Sequence, residues 1–223
     1  EPHPRAWGAA LTHPYLTTDY SEALPEFVTP PQPSNWQTLQ FLCDLHAFAH
    51  RAHDAELLWP ASMPCALVER DAIPIAYYGT SNQGLMKTVY RRGLGYRYGK
   101  SMQAIAGVHF NYSPPLVFWP AYREHSRAAQ SEQDVRSAAL MGLVRNYRRY
   151  SWLVTYLFGA SPALDKSLRP EGHALLTELD SATWHAPYAT SLRMSDLGYR
   201  NKTQARFSIA ANSLEQYVGA LAA

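Results

Sequence analysis

Apolar positions along this chain mostly recur at three- and four-residue spacing, with short runs broken by proline, so helices are expected to carry most of the regular structure. Ser34 or Asn35 can cap a helix in which Trp36, Leu39, Leu42, Leu45, Phe48 and Ala52 form an apolar stripe, ending near His53. The turn Gly79-Thr80-Ser81-Asn82 opens a second helix, capped by Ser81 or Asn82 and supported by Leu85, Val89 and Leu94. A long helical pattern runs from Glu132 to Phe158 and is stopped by Gly159 and Pro162, and Leu214 to Leu221 predicts a last helix. Two strands are expected. One is the short run Leu24 to Val28, bounded by turn-formers. The other lies within Ala104 to Ser113, where Ala106, Val108, Phe110 and Tyr112 alternate with Gly107, His109, Asn111 and Ser113, which gives one apolar and one polar face. A linker with Pro114, Pro115 and Pro120 follows, and Ala163 to Trp184 shows no regular pattern.

Composition narrows the class. With 47% apolar residues in 223, the chain can bury a real core, as one domain. Its 20 basic and 18 acidic side chains leave a net charge of +2, too even for the basic footprint that nucleic acid or an anionic membrane surface requires, so small molecules or protein are the expected partners. The two cysteines, Cys43 and Cys65, are too few for a disulfide framework and fit no zinc spacing, which points to a reducing cytoplasm. The longest apolar stretch, Trp152 to Ala163, is interrupted and falls short of the roughly 20 residues needed to span a bilayer. Glu1 opens the sequence without an initiator Met or an apolar leader, so the start reads as an internal cut.

Several groups can carry chemistry. Asp19, Glu22 and Glu26 offer the oxygen ligands that magnesium favours, against the plainer reading of solvated surface. His109 falls on the polar face of the expected strand, where it would serve as a metal ligand, a phosphate contact or a core histidine bonded to backbone. Gly79 and Gly84 bracket four residues ahead of Lys87, but a phosphate-binding P-loop needs Lys directly after the second Gly. The intervening Leu85 and Met86 turn Lys87 by about 200° around the helix, and a capped turn is the better reading. His46, His50 and His53 share one helix face without the Glu of a zinc-protease motif and read as a mixed exposed surface. Arg145, Arg148 and Arg149 read as a solvated helix face. Arg193, in Ser191-Leu192-Arg193-Met194-Ser195-Asp196, can clamp a carboxylate with two parallel hydrogen bonds or pair internally with Asp196. Cys65 has no basic neighbour in sequence to lower its pKa and reads as an inert thiol.

The strings between these residues, taken in order, carry more than any one of them. Ala10-Leu11-Thr12-His13 with Thr17-Thr18-Asp19, Trp59-Pro60 with Ser62-Met63-Pro64-Cys65, and Tyr78-Gly79-Thr80-Ser81-Asn82 are followed by Gly107-Val108-His109 and Tyr156-Leu157-Phe158-Gly159-Ala160-Ser161-Pro162. Pro187-Tyr188-Ala189-Thr190-Ser191-Leu192-Arg193 and Asp196-Leu197-Gly198-Tyr199 complete the series. Together they resemble the bacterial, enterobacterial-type glutamate-cysteine ligases from end to end of the chain. That resemblance implies an α+β, glutamine-synthetase-like catalytic domain, with a curved antiparallel sheet floored by acidic residues and covered by helices. It implies ATP and Mg2+ as cofactors and L-glutamate and L-cysteine as substrates, in the first step of glutathione biosynthesis, with no nucleic-acid or membrane partner. Carried onto this sequence, it makes Glu26, Asp19 and His109 metal-site residues, Tyr90, Arg193 and Tyr199 substrate-binding, and Arg193 catalytic. Family members are roughly twice this length or more. The chain is therefore expected to be a partial domain, lacking an N-terminal Glu-x-Glu metal strand and a later Glu and Arg pair, and to be inactive alone. A related ligase acting on another amine, or a non-catalytic fragment, are the competing expectations.

Overall fold

A computed structural model describes residues 2–52, 56–67, 72–159, 161–168, 176–195 and 210–222. The chain divides into two compact units, one of Glu1–Gly107, Ala163–Pro187 and Leu192–Tyr199, the other of Val108–Pro162, Tyr188–Ser191 and Arg200–Ala223.

The first unit begins with an antiparallel hairpin of β1 (Leu16–Thr18) and β2 (Pro25–Phe27), in the register Leu16↔Phe27, Thr17↔Glu26 and Thr18↔Pro25. Leu16, Thr18 and Tyr20 are buried while Thr17 and Asp19 between them are partly accessible, the alternation of a strand with one covered face. Helix α1 (Asn35–Arg51) starts where expected, with the Ser34 hydroxyl accepting from the Gln37 amide at 3.3 Å. It packs Leu45 and Ala49 against Leu16 and Trp7, with Tyr15, Phe27, Phe41, Ala52 and Leu58 around them, and the Trp7 indole donates to the Ala49 carbonyl. Leu45 and Ala52 of the expected stripe meet this core, whereas its other large members do not. Trp36 is 79% exposed and Leu39 and Phe48 are exposed as well, because only the Leu45 and Ala49 side of the helix meets the hairpin.

Helix α2 (Asn82–Tyr98) is capped by the Ser81 hydroxyl, which accepts from the Gly84 amide at 3.2 Å. Gly84 is buried, and a Cβ on it would stand 2.5 Å from the Tyr78 carbonyl oxygen and 2.9 Å from that of Gly79. The second glycine of the apparent P-loop therefore lets a helix start press against backbone, as the capped-turn reading expects. A short helix α3 (Lys100–Gln103) follows.

Three brief strands, β3 (Ala163–Asp165), β4 (Thr177–Glu178) and β5 (Thr183–His185), form an antiparallel sheet in the order β3-β5-β4. They fall where the sequence shows no pattern, since strands of two or three residues are too short for periodicity to appear. The Lys166 ammonium pairs with Glu178 beside this sheet.

In the second unit α4 (Phe118–His125) precedes α5 (Glu132–Phe158), which has the predicted bounds and ends at Gly159, and α6 (Leu214–Ala222) is the last element. Trp119 is buried, with Phe118 and Tyr122 rings around it and the Arg136 guanidinium 5.5 Å from its ring centroid. Arg145 donates to the Ala211 carbonyl at 2.6 Å, so that arginine ties helix to chain rather than facing a ligand. The last turns of α5 leave Trp152, Leu153, Tyr156, Leu157 and Phe158 exposed.

The strand expected within 104–113 is a correction. Residues 105–115 have no regular secondary structure. After the Ala106 amide donates to the Ser62 carbonyl at 2.7 Å, Val108 is 99% exposed, and Phe110 and Tyr112 are exposed too. The alternation is real in sequence, but a strand exists only through a ladder with a neighbour, and none of the described residues supplies one.

Candidate functional site

The hairpin register decides which acidic groups share a face. Thr18 points inward, so Thr17 and Asp19 point the other way, and Glu26, opposite Thr17, joins them. The Asp19 amide donates to the Leu24 carbonyl at 3.0 Å, which closes the turn between the two carboxylate positions. Glu22, the remaining member of the expected cluster, is committed elsewhere: its carboxylate accepts from the amides of His3 and Tyr77, both at 3.1 Å.

Beneath Thr18 lies Tyr78. Its hydroxyl donates to the Thr18 carbonyl at 2.7 Å and stands 2.6 Å from the Thr18 hydroxyl. Burial pushes the Tyr78 phenol up from its ordinary pKa and the nearby Glu26 charge adds to this, against the hydrogen bond from Thr18 and the cation of Arg91. From α2, Lys87 and Arg91 each lie 4.8 Å from the Tyr78 ring centroid. Arg91 spends its donors on backbone, reaching the carbonyls of Asp19, Thr18 and Lys87. Sequence reasoning missed both Tyr78 and Arg91. They stand some 60 to 73 positions from the strand they hold, beyond any local signal.

Arg193 lies elsewhere in the same unit. The Ser195 amide and hydroxyl both bond back to the Leu192 carbonyl, which makes a tight turn of Leu192 to Ser195 and sets Arg193 at a small apolar cavity lined by Met63, Met102, Ile105, Leu164, Leu168 and Leu192. Its volume, about 20 Å³, suits a water-sized group. The loop carrying Met63 is pinned on several sides. Trp59 donates to the Met63 carbonyl, and Asp165 accepts from the Ala66 amide and from the amide and hydroxyl of Ser167, whose oxygen in turn accepts from the Leu67 amide.

These bonds, that of the Ser167 hydroxyl first, hold the Asp165 carboxyl below its ordinary range in spite of some burial. A depressed folded-state pKa contributes stability that is complete above the unfolded value and is lost as pH falls through the folded value. Asp165→Ala is therefore expected to cost about 1 kcal/mol near neutral pH, and urea unfolding should show that difference shrinking as pH is lowered through the carboxylate range. A difference that stayed constant or grew on acidification would rule this role out.

The other expected site residues are dispersed. Tyr90 is on α2 and exposed, and His109 is exposed in the second unit. Tyr199, Asp196 and His53 lie outside the described residues. His46 and His50 are exposed, the His46 ring standing edge-on to Phe27, and Cys43 and Cys65 are free thiols on the surface. Among the described residues no three His, Cys, Asp or Glu side chains gather closely enough to hold a metal ion, and no helix is long and apolar enough to cross a membrane.

The sequence profile of the family described as glutamate-cysteine ligase matches residues 1–223, the whole chain. The chain belongs to the glutamate-cysteine ligase family. A glutamate-cysteine ligase of Pseudomonas aeruginosa is 53% identical over 220 residues, which are 99% of this chain and 42% of that protein, and one from Azotobacter vinelandii is 53% identical over 224 residues with the same coverage. The chain thus spans about two-fifths of the length of these relatives. Among solved structures, the glutamate-cysteine ligase of Francisella tularensis in complex with AMP superposes with a TM-score of 0.85 at 36% identity, covering 99% of this chain and 43% of that one. A bifunctional glutathione synthetase from Pasteurella multocida gives a TM-score of 0.79 at 28% identity, covering 100% of this chain and 27% of that one. The family resemblance and the α+β, glutamine-synthetase-like class it implied are both borne out, as a partial domain of helices with small antiparallel sheets.

Proposed function

We propose that this chain supplies part of the active site of an ATP-dependent ligase that joins the glutamate γ-carboxylate to the amine of L-cysteine. The observation that carries the reading is the shared face of Asp19 and Glu26, an oxygen-only donor pair held on a short hairpin in a chain of this family. Magnesium favours such oxygen donors, binds through one or two carboxylates and completes its shell with phosphate oxygens and water, so the pair fits it. His109 is proposed as a further contact to metal or phosphate, and Tyr90, Arg193 and Tyr199 as the groups that hold cysteine or its carboxylate. The domain is proposed to be a single catalytic one to which this chain contributes a part.

The chemistry sets what these residues must do. A carboxylate is a poor acyl donor, so the glutamate side chain is first phosphorylated by ATP, and the cysteine amine then displaces phosphate from the acyl phosphate. Bound magnesium would offset phosphate charge during that transfer. The carboxylates of Asp19 and Glu26 would hold the cation, and the guanidinium of Arg193 fixes a substrate carboxylate so that the amine is oriented for attack on the acyl carbon. The proposed compartment is the cytoplasm, in keeping with two free surface thiols.

The test is release of ADP that requires glutamate, cysteine and magnesium together, measured on a full-length protein carrying this sequence and on the 223-residue chain alone. The full-length protein is expected to turn over and the isolated chain to show little or no activity. ADP release from the full-length protein that ignored cysteine would overturn the reading.

A further inference from the structure

The segment from Ala76 to Arg91 runs beside the end of β1 and satisfies its carbonyls one after another. The Tyr78 hydroxyl and the Arg91 Nη2 both donate to the Thr18 carbonyl, the Arg91 Nε donates to that of Asp19, and the Ala76 amide donates to that of Tyr20 at 2.9 Å. Proton bookkeeping fixes the remaining bond. Since the phenol hydrogen goes to the Thr18 carbonyl, the 2.6 Å contact must be the Thr18 hydroxyl donating to the phenol oxygen. Thr18 is fully buried, so this pair of bonds is shielded from water and cannot be exchanged for solvent without opening the core. Cation faces on the Tyr78 ring from Lys87 and Arg91 fix the ring in turn.

We infer that Tyr78 and Arg91 are positioning residues that lock the backbone at Thr18 and Asp19 and thereby set where the Asp19 carboxylate stands relative to Glu26 across the hairpin. The inference rests on the reading of those two carboxylates as the metal pair. Tyr78 bonds to Thr18 and, at longer range, to the Asp19 carbonyl, so it acts through the placement of the strand backbone and not as a ligand of the ion. Residues that orient metal ligands in this way commonly change metal affinity about 10- to 100-fold when removed.

The test uses Tyr78→Phe, Thr18→Val and Glu26→Gln in a full-length protein carrying this sequence, with divalent-cation binding measured directly by calorimetry beside the magnesium half-saturation, the kcat and the amino-acid KM values read from ADP release. Tyr78→Phe keeps the ring and its cations and removes the hydroxyl, and Thr18→Val removes the partner hydroxyl at nearly equal volume. Each is expected to raise the magnesium half-saturation about tenfold, with kcat recovering at excess magnesium and the amino-acid KM values within about twofold of the parent. If one of the two variants fails to fold, the other still decides. An unmoved magnesium curve in Tyr78→Phe or Thr18→Val, alongside a shifted one in Glu26→Gln, overturns the positioning role and leaves the metal reading intact. An unmoved curve in Glu26→Gln overturns the metal reading and this inference with it.

Discussion

Glu26→Gln, in a full-length protein carrying this sequence, is expected to lower kcat by about 100-fold or more and to move the magnesium dependence to higher concentration. The substitution keeps the shape of the side chain on β2 and removes only the charge opposite Thr17, so the hairpin register should survive. What is lost is an anionic oxygen for a hard cation. A neutral amide oxygen is a weaker partner, and the cation is the group that offsets charge as the phosphoryl group moves. Amino-acid KM values should change far less than kcat. Steady-state ADP release across a magnesium titration decides it: a variant with normal magnesium dependence would remove Glu26 from the metal site even though the family membership stands.

Arg193→Ala should fail in a different way. The guanidinium offers a fixed, permanently charged fork, and losing its charge-assisted bonds to a carboxylate costs about 1.5 to 3 kcal/mol. This corresponds to a rise of about 10- to 150-fold in one substrate KM, cysteine being the expected one, with magnesium dependence unchanged. Arg193→Lys should recover little, because a point charge does not reproduce the fork. Unchanged KM values for every substrate would refute the assignment. The two variants together separate charge at the metal from charge at the substrate, which neither does alone.

Helices α1, α2 and α5 were legible because each has local punctuation, whereas α3 and α4, which have no side-chain cap, were not. Ser34, Ser81 and Ser131 stand at the N-caps and Gly159 closes α5, and all four act within a turn of the residues they serve. Which part of a helix is buried was less legible: the spacing marks Leu45 and Ala52, but contact with the hairpin adds Ala49 and leaves Trp36, Leu39 and Phe48 exposed. The alternation of 104–113 misled for the converse reason, since it is a local pattern that requires a distant partner. At the site, the acidic residues could be read from the sequence, but that Asp19 and Glu26 share a face while Glu22 is used to hold amides depends on the hairpin register. Tyr78 and Arg91 were invisible because each works across a long stretch of chain on groups that carry no side-chain signal, namely backbone carbonyls.

The uncovered end of α5 has a consequence for anyone preparing this chain by itself. Nearly two turns of helix showing Trp152, Tyr156, Leu157 and Phe158 to water are a patch that sticks to its own kind. Concentrated stocks will therefore drift toward oligomers, and sulfate-type salts will hasten this by strengthening apolar association. Dilute samples at moderate ionic strength with a mild detergent are the practical choice, and light scattering belongs beside every unfolding curve recorded on the isolated chain.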